Sequence, residues 1–324
     1  MLCFRTLLFL IFVMLGACAH EASNFVDSPL SNAVYLPNPD VTVQIAGLSN
    51  CTHADSNELH LNSQEPVIVI VHGCFSSAGR FRSLADVFAF HGQQAVCFNY
   101  NGRDRLAKSS NELISAAEKL SAVLQQPDIT VIGHSQGGLV ARRALINERT
   151  DRIDIGDADI DLVTISAPFG GIEAAADCGS KTLAWLSLGL IKPVCHMITG
   201  GKYRDIPASS EFILEPGQLV TSVDTHLKIV TDEANTCRVY DEQGDCDKDD
   251  FVFSLDEQTQ QKVDAQPGLE SVVVKAGHVE IVGNSQAAPD KLIGILQQQG
   301  ILRPTPAEDA EELAKLLADL YLAP

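Results

Sequence analysis

The chain has 324 residues, of which 45% are hydrophobic and 20% are charged. This length suits one large α/β domain with an inserted segment, or two small domains. The balance of hydrophobic to charged residues excludes a mainly disordered chain. Asp and Glu number 42 against 23 Lys and Arg, and the net charge of -19 excludes a surface built to neutralise the phosphates of nucleic acid.

The N-terminus has the pattern of a signal peptide. Arg5 precedes the apolar run Leu7 to Leu15, which is too short to span a bilayer as a mature helix. The run ends in Leu15-Gly16-Ala17-Cys18, which resembles the lipobox of bacterial lipoproteins. The resemblance implies cleavage before Cys18, lipidation of that cysteine and, with Ala19 next, sorting to the outer membrane. Ordinary cleavage near Ala19 is the alternative.

Strands and helices then alternate along the chain. The predicted elements are an edge strand at 41–45, a weaker strand at 58–61, a buried strand at 66–71, a helix at 81–91, a strand at 94–100 and a helix at 110–126. Such alternation predicts a doubly wound, mostly parallel sheet whose site lies at the carboxyl ends of the strands.

The most informative stretch is Asp128 to Ala144. Ile129 to Ile132 are β-branched residues typical of a buried parallel strand, and Gly133-His134-Ser135-Gln136-Gly137 separates them from a helix-compatible run. A strand, G-x-S-x-G and a helix form the context in which this motif places a serine on a strained turn at a helix N-terminus. Ser135 is therefore the candidate nucleophile, with a tight structural turn as the alternative.

At these residues the chain resembles the α/β-hydrolase superfamily, in particular the bacterial lipase and esterase branch with its G-H-S-Q-G elbow. The strand at 66–71 ends in His72-Gly73-Cys74-Phe75, which is similar to the oxyanion loop of those hydrolases. The resemblance implies that the backbone amides of Cys74 and Gln136 form the oxyanion hole.

The strand at 160–166 leads into a segment that stops alternating. We expect an inserted cap over about 178–214, with the only tryptophan, Trp185, in an apolar stretch. That stretch is interpreted either as a lid or substrate-facing wall, or as an ordinary helix packed on the core.

The triad acid is expected after the next strand, at 226–231. In related lipases it is an Asp followed three positions later by Val, and Asp249 with Val252 fits that spacing best. Asp250 and Asp232 are the other candidates. Alternate acidic residues in the same run also resemble a calcium loop, although Asp250 stands where the sharp-turn glycine belongs.

The last predicted strand, at 271–275, is followed by Ala276-Gly277-His278. A histidine in a glycine-containing loop after the final strand is where the resembled family keeps its general base, so His278 completes the chain order Ser, Asp, His. A closing helix is predicted at 289–298, and an acidic amphipathic helix at 306–322.

Seven of the nine cysteines belong to the expected folded part once Cys3 and Cys18 are set aside. An exported protein meets oxidising conditions, and the close pairs Cys178 with Cys195 and Cys237 with Cys246 are interpreted as disulfides that staple loops. The odd count leaves at least one cysteine without a partner in the same chain.

The implied molecule is an α/β-fold serine hydrolase that cleaves lipid-like carboxylic esters at the cell envelope, with no metal or organic cofactor required. Its expected organisation is a signal peptide at 1–17, a tether at 18–40, a hydrolase domain at 41–303 and a C-terminal acidic helix at 304–324. The expected partners are an acyl-ester or lipid substrate and a membrane surface bound through the lipid anchor. The alternatives are an acyltransferase, phospholipase or thioesterase with the same triad, and a non-catalytic envelope lipoprotein.

Overall fold

The computed structural model describes residues 35–51, 57–73, 81–148, 155, 158–173 and 201–322. The expected signal peptide with Cys18, the amide of Cys74, most of the cap and the pair Cys178 with Cys195 lie outside these residues. In the part of the chain that is described, no helix is long and apolar enough to cross a membrane.

Eleven strands and eight α-helices are described in these ranges. The strands are β1 (Val41–Gln44), β2 (Leu48–Ser49), β3 (Glu58–Leu61), β4 (Val67–Val71), β5 (Gln94–Phe98), β6 (Asp128–His134), β7 (Asp159–Ile165), β8 (Val223–Asp232), β9 (Cys237–Tyr240), β10 (Cys246–Asp249) and β11 (Leu269–Lys275). The α-helices are α1 (Leu84–Phe90), α2 (Leu106–Ser121), α3 (Gln136–Ala144), α4 (Glu211–Leu214), α5 (Leu255–Gln258), α6 (Gln261–Asp264), α7 (Asp290–Gln298) and α8 (Ala310–Leu317).

Seven of the strands form one sheet in the order β11-β8-β7-β6-β4-β5-β2. Every neighbouring pair is parallel except β2 with β5 at the edge. The predicted mostly parallel sheet is confirmed, and its order is that of the α/β-hydrolase fold. Two small antiparallel pairs, β1 with β3 and β9 with β10, lie outside the sheet.

The alternating side chains of β4 show how the two faces of the sheet are covered. Val67, Val69 and Val71 belong to the apolar cluster beneath α2 and α3, whereas Ile68 and Ile70 belong to the cluster beneath α1, α7 and α8. Successive side chains of a strand point to opposite faces, so a strand that is apolar throughout is covered on both sides.

Two disulfides tie the described chain. The predicted bond between Cys237 and Cys246 joins β9 to β10 and is confirmed. The second bond joins Cys51 to Cys97 of β5 across 46 residues. This pairing was not predicted, because connectivity over such a separation depends on which strands become neighbours.

Candidate active site

The turn between β6 and α3 is built around Ser135. Its backbone has φ 55° and ψ -125°, a left-handed conformation that residues with side chains seldom adopt. A Cβ added to Gly137 would lie 2.2 Å from the carbonyl oxygen of Val71, and one on Gly133 would lie 2.5 Å from the Gly137 oxygen. Both glycines are therefore required for the turn, and the predicted strand, sharp turn and helix are confirmed.

Neighbouring strand ends hold the turn that carries Ser135. The Ser135 N–H donates to the carbonyl oxygen of Ile165, at the end of β7, over 2.8 Å. On the other side, a Cβ on Gly73 would lie 3.0 Å from the Ser135 Cβ, so the chain after β4 passes close to the serine. Ser135 makes no capping hydrogen bond to α3 with its side chain, which leaves the hydroxyl uncommitted to the helix.

His278 lies in the loop after β11 and is 5% exposed. Its main-chain N–H donates to the backbone carbonyl oxygen of Asp250 over 3.0 Å, and its own carbonyl oxygen accepts from Nε2 of His134 over 3.0 Å. The imidazole packs between two rings, with centroid distances of 4.8 Å to His134 and 4.9 Å to Phe253. The structure thus fixes His278 against the residue that precedes Ser135 in the chain.

The carboxylate that meets His278 belongs to Glu233, the first residue after β8. Nδ1 of His278 lies 2.9 Å from Oε1 of Glu233, while Oε2 accepts from the backbone amides of Val252 at 2.6 Å and Phe253 at 2.7 Å. Burial alone would raise the pKa of Glu233, but hydrogen bonds from His278, Phe253 and Ser166 outweigh it and the pKa is lowered. Glu233 is therefore an ionised acceptor, which places the proton of His278 on Nδ1 and leaves Nε2 able to accept one.

The expectation that Asp249 orients His278 is corrected. Asp249 is exposed at the end of β10, where its carboxylate accepts only from the Phe251 amide, over 3.3 Å, among the described contacts. The alternative at Asp232 is also displaced, since its carboxylate pairs with Lys275 at 3.2 Å. A search for Asp-x-x-Val passes over Glu233, although its place at the carboxyl end of the penultimate strand was a usable signal.

Asp250, the other alternative, supports the histidine loop rather than the imidazole. Its buried carboxylate pairs with Arg238 at 2.9 Å and accepts from the backbone amides of Val279 and Glu280 at about 3 Å. Burial raises the pKa of Asp250, against the opposing hydrogen bond from Glu280 and the charge of Arg238. Gly277 is needed here because a Cβ would lie 2.2 Å from Oδ2 of Asp250.

Gln136 begins α3, where the backbone N–H groups of a helix N-terminus favour negative charge. Its side chain is held at both ends, since Nε2 donates to the Gly102 oxygen at 3.2 Å and Oε1 accepts from Nζ of Lys202 at 2.8 Å. Gln136 and Lys202 are 5% and 4% exposed. The second predicted oxyanion donor, the amide of Cys74, lies outside the described residues.

His134 carries no charge at neutral pH. Burial, and then the charge of His278, lowers the pKa of His134 to about 3. His278 therefore packs against a neutral ring. Among the described residues no group of three or more His, Cys, Asp or Glu side chains converges to hold a metal ion.

Comparison with known proteins agrees with this architecture. Residues 66–154 match the family model described as alpha/beta hydrolase fold. The propeptide form of the Bacillus licheniformis lipase BlEst2 aligns with a TM-score of 0.50 and 12% identity, covering 84% of this chain and 55% of that chain. At this identity the likeness shows the fold alone, which the strand order also gives.

Two further solved structures are similar at lower scores. The mature form of BlEst2 has a TM-score of 0.46 at 13% identity, over 75% of this chain and 94% of that chain. Esterase B from Lactobacillus rhamnosis HN001 has a TM-score of 0.47 at 10% identity, over 86% and 90%. Among curated proteins the sequence has no match.

Proposed function

We propose that this chain is a serine hydrolase that cleaves carboxylic esters through an acyl-enzyme on Ser135. The observation that carries the proposal is the convergence of three strand ends. The strained serine turn follows β6, the buried carboxylate of Glu233 follows β8, and Nδ1–H of His278, in the loop after β11, donates to that carboxylate. A nucleophile, an orienting acid and a base in this chain order are the parts needed for acyl transfer.

In the proposed reaction, Nε2 of His278 takes the proton of the Ser135 hydroxyl while the serine oxygen attacks the ester carbonyl carbon. The backbone amide of Gln136, with that of Cys74 as implied by the resemblance, stabilises the oxyanion of the tetrahedral intermediate. The imidazolium then gives its proton to the leaving alcohol. Water repeats the sequence on the acyl-enzyme, with His278 again as base, and releases the carboxylic acid.

The role of Glu233 in this scheme is to hold the tautomer and to stabilise the imidazolium. Its carboxylate keeps the histidine proton on Nδ1, so that Nε2 always faces the reaction as the acceptor. The two backbone amides on Oε2 compensate for burial of the charge, which allows Glu233 to stay ionised while His278 gains and loses its proton.

We further propose lipid-like esters at the bacterial cell envelope as the substrates, reached by an outer-membrane lipoprotein anchored through Cys18. Two disulfides are typical of an exported protein. The lipobox-like sequence before Cys18 supports the anchor, and the fold neighbour BlEst2, named a lipase, supports the substrate class. Labelled palmitate should enter the full chain but not Cys18→Ser, and incorporation that persists in this variant would refute the anchor.

The deciding experiment is hydrolysis of p-nitrophenyl esters of increasing acyl length by the mature protein and by Ser135→Ala. We expect release of p-nitrophenol by the unchanged protein and none above background in the variant. A fluorophosphonate probe should label the unchanged protein alone. Equal labelling of both proteins, or folded protein without ester hydrolysis at any chain length, would overturn the proposal.

A further inference from the structure

The side chain of Ser166, the first residue after β7, lies next to the candidate triad and contacts three of its neighbours. It is fully buried, and its Oγ lies 2.7 Å from Oε1 of Glu233 and 2.8 Å from Nδ1 of His278. The hydroxyl of Thr231 approaches the same Oγ over 2.7 Å. One small hydroxyl thus touches both members of the acid and base pair.

The protons of this cluster can be placed from the available acceptors. Glu233 is ionised and accepts only, so the Ser166 hydroxyl donates to Oε1 and the Nδ1–H of His278 is shared between that oxygen and the Ser166 lone pairs. The Thr231 hydroxyl has three acceptors within reach, namely Oγ of Ser166 at 2.7 Å, Oε1 of Glu233 at 2.8 Å and Oε1 of Gln258 at 3.1 Å. Each hydrogen in the cluster has an acceptor, and the Nδ1–H has two.

The backbone conformation of Ser166 is one that favours glycine over a residue with a side chain. Its φ is 49°, in the left-handed region where glycine is relaxed and a residue with a side chain is strained. A glycine would satisfy the turn after β7 equally well. The sequence keeps a serine there, with its hydroxyl aimed at Glu233 and His278.

The same turn also reaches the nucleophile. Ile165, the residue before Ser166, accepts the hydrogen bond from the Ser135 N–H, and the Ser166 N–H donates to the Ile229 oxygen of β8 at 2.8 Å. The dipeptide at 165–166 therefore contacts the serine through its backbone and the acid and base pair through its side chain.

We propose that Ser166 is a positioning residue that fixes His278 by giving its Nδ1–H a second oxygen acceptor and Glu233 an additional donor. The inference rests on the proposed hydrolase function and adds to it a residue outside the triad. Ser166 touches neither substrate nor reacting atoms. It acts by holding the imidazole plane in line with the Ser135 hydroxyl through the transition state.

The test compares Ser166→Ala, which keeps the strained turn, with Ser166→Gly, which relaxes it. Both lose the hydroxyl, so we expect kcat for p-nitrophenyl butyrate to fall by about 10- to 100-fold in each with KM within about twofold, the size of one lost hydrogen bond to a charged group. Ser110→Ala, which removes an equally buried hydroxyl bonded to the Leu106 oxygen, is the matched control and should keep kcat. Wild-type kcat in Ser166→Gly would overturn the proposal, because the position would then need only its backbone conformation.

A second readout does not depend on turnover. The proton NMR signal of the Nδ1–H, assigned by its loss in His278→Gln, should move in Ser166→Ala and Ser166→Gly but not in Ser110→Ala. An unmoved signal in both Ser166 variants would overturn the inference even if activity fell. If the unchanged protein cleaves no ester while the signal moves, the hydrolase proposal fails and the Ser166 contact stands.

Thr231 provides a cycle that separates positioning from general loss of packing. Thr231→Val removes a hydroxyl that contacts both Ser166 and Glu233 and keeps the shape of the side chain. If the two hydroxyls act as one unit, the double variant Ser166→Ala/Thr231→Val should lose little more kcat than Ser166→Ala alone. Fully multiplicative losses would show that Thr231 acts independently of Ser166 and would contradict the shared network.

Discussion

At the scale of single residues, Glu233 is the buried acid that fixes the tautomer of His278 in the proposed chemistry. It is 2% exposed and its charge is met by hydrogen-bond donors on both carboxylate oxygens. A buried carboxylate that accepts these hydrogen bonds stays ionised and holds His278 in one tautomer. Asp249, by contrast, is exposed, and its carboxylate is solvated by water.

Glu233→Gln should lower kcat by about 10³- to 10⁴-fold while the protein stays folded, because an amide no longer fixes the Nδ1–H tautomer. Initial rates on a short p-nitrophenyl ester measure this directly. Asp249→Asn is the matched control and should keep kcat within about twofold, since its carboxylate is exposed and, among the described contacts, bonds only its own turn. A large loss in Asp249→Asn with full activity in Glu233→Gln would return the acid to Asp249.

The identity of individual site residues was also the hardest part to predict from the sequence. Ser135 and His278 could be singled out because a glycine-flanked turn and a loop after the last strand restrict where such residues occur. Their catalytic roles stay predictions until the variants are assayed. The acid could not be singled out, because several carboxylates lie between 232 and 250, and only the pairing of β8 with β11 decides which one reaches the imidazole.

At the scale of elements, the packing of α3 against β4 depends on the absence of a side chain at residue 137. Gly137→Ala places a Cβ among the backbone oxygens of Val71 and His72, at 2.2 and 2.5 Å, and neither can move without breaking the sheet. We expect a loss of about 3 kcal/mol or more in unfolding free energy, measured by urea denaturation. Gly294→Ala in α7, where nothing lies within 4 Å, should be neutral or gain about 1 kcal/mol. Equal effects of the two substitutions would contradict this account of the elbow.

The hairpin of β9 and β10 supports the loop that carries His278. Its base carries Arg238 and Asp250, and Asp250 holds the amides that follow His278. The Cys237 to Cys246 disulfide closes this hairpin over a separation of 9 residues, worth about 2–3 kcal/mol by loop entropy. Replacing both cysteines by serine should lower kcat severalfold because the histidine loop loses a fixed support.

The other disulfide gives the comparison. Serine at both Cys51 and Cys97 removes a bond that closes 46 residues, worth about 4 kcal/mol, far from the histidine loop. This variant should lose more in thermal midpoint and little in kcat at 25 °C. Calorimetry and initial rates on both double variants measure the two effects, and a reversed pattern would show that the hairpin does not support the site.

Element boundaries show what local pattern can and cannot give. The strands at 58–61 and 94–98 match their predictions to within two residues. The helix predicted to begin at Ser110 begins at Leu106, since the Ser110 hydroxyl bonds the Leu106 oxygen one turn earlier instead of capping the helix. A serine inside a helix and a serine that caps one look alike in sequence.

At the scale of the whole molecule, two buried neutral histidines link stability to pH. Burial, followed by the charges of Arg142 and Lys228, lowers the pKa of His226 to about 3, and the pKa of His134 is likewise about 3. Both lie below the unfolded value of about 6.5, so their contribution is complete above pH 6.5 and is lost as pH falls toward 3. Asp250, whose pKa is raised mainly by burial, acts in the opposite sense.

His226→Gln isolates one of these groups. The glutamine amide can bond Thr164, which now lies 2.9 Å from Nε2 of His226, but it does not titrate. Between pH 7 and pH 5 the unchanged protein should lose about 2 kcal/mol of unfolding free energy to His226 that the variant retains. Urea denaturation at the two pH values measures the difference, and parallel losses in both proteins would show that His226 is not the linked group.

The overall architecture was the most predictable level. Alternating apolar runs and amphipathic segments on a chain of this size leave few solutions besides a doubly wound sheet. The docking of α8 was not predictable in the same way. Leu313, Leu317 and Tyr321 recur at helical spacing, but only the folded chain shows that they cover the cluster beneath α1. Periodicity shows that a face is apolar, while its partner depends on contacts distant in sequence.

The topology of the parallel sheet also determines at which stage of folding the candidate site forms. Ser135, Glu233 and His278 follow three strands whose pairing closes long stretches of chain, and parallel strands cannot pair through a short hairpin. Contacts between residues so distant in sequence form slowly, after their loop-closure entropy has been overcome. The three side chains therefore meet only when β6, β7, β8 and β11 have paired, so under the proposed function fluorophosphonate labelling during refolding should begin with this pairing rather than with collapse of the chain.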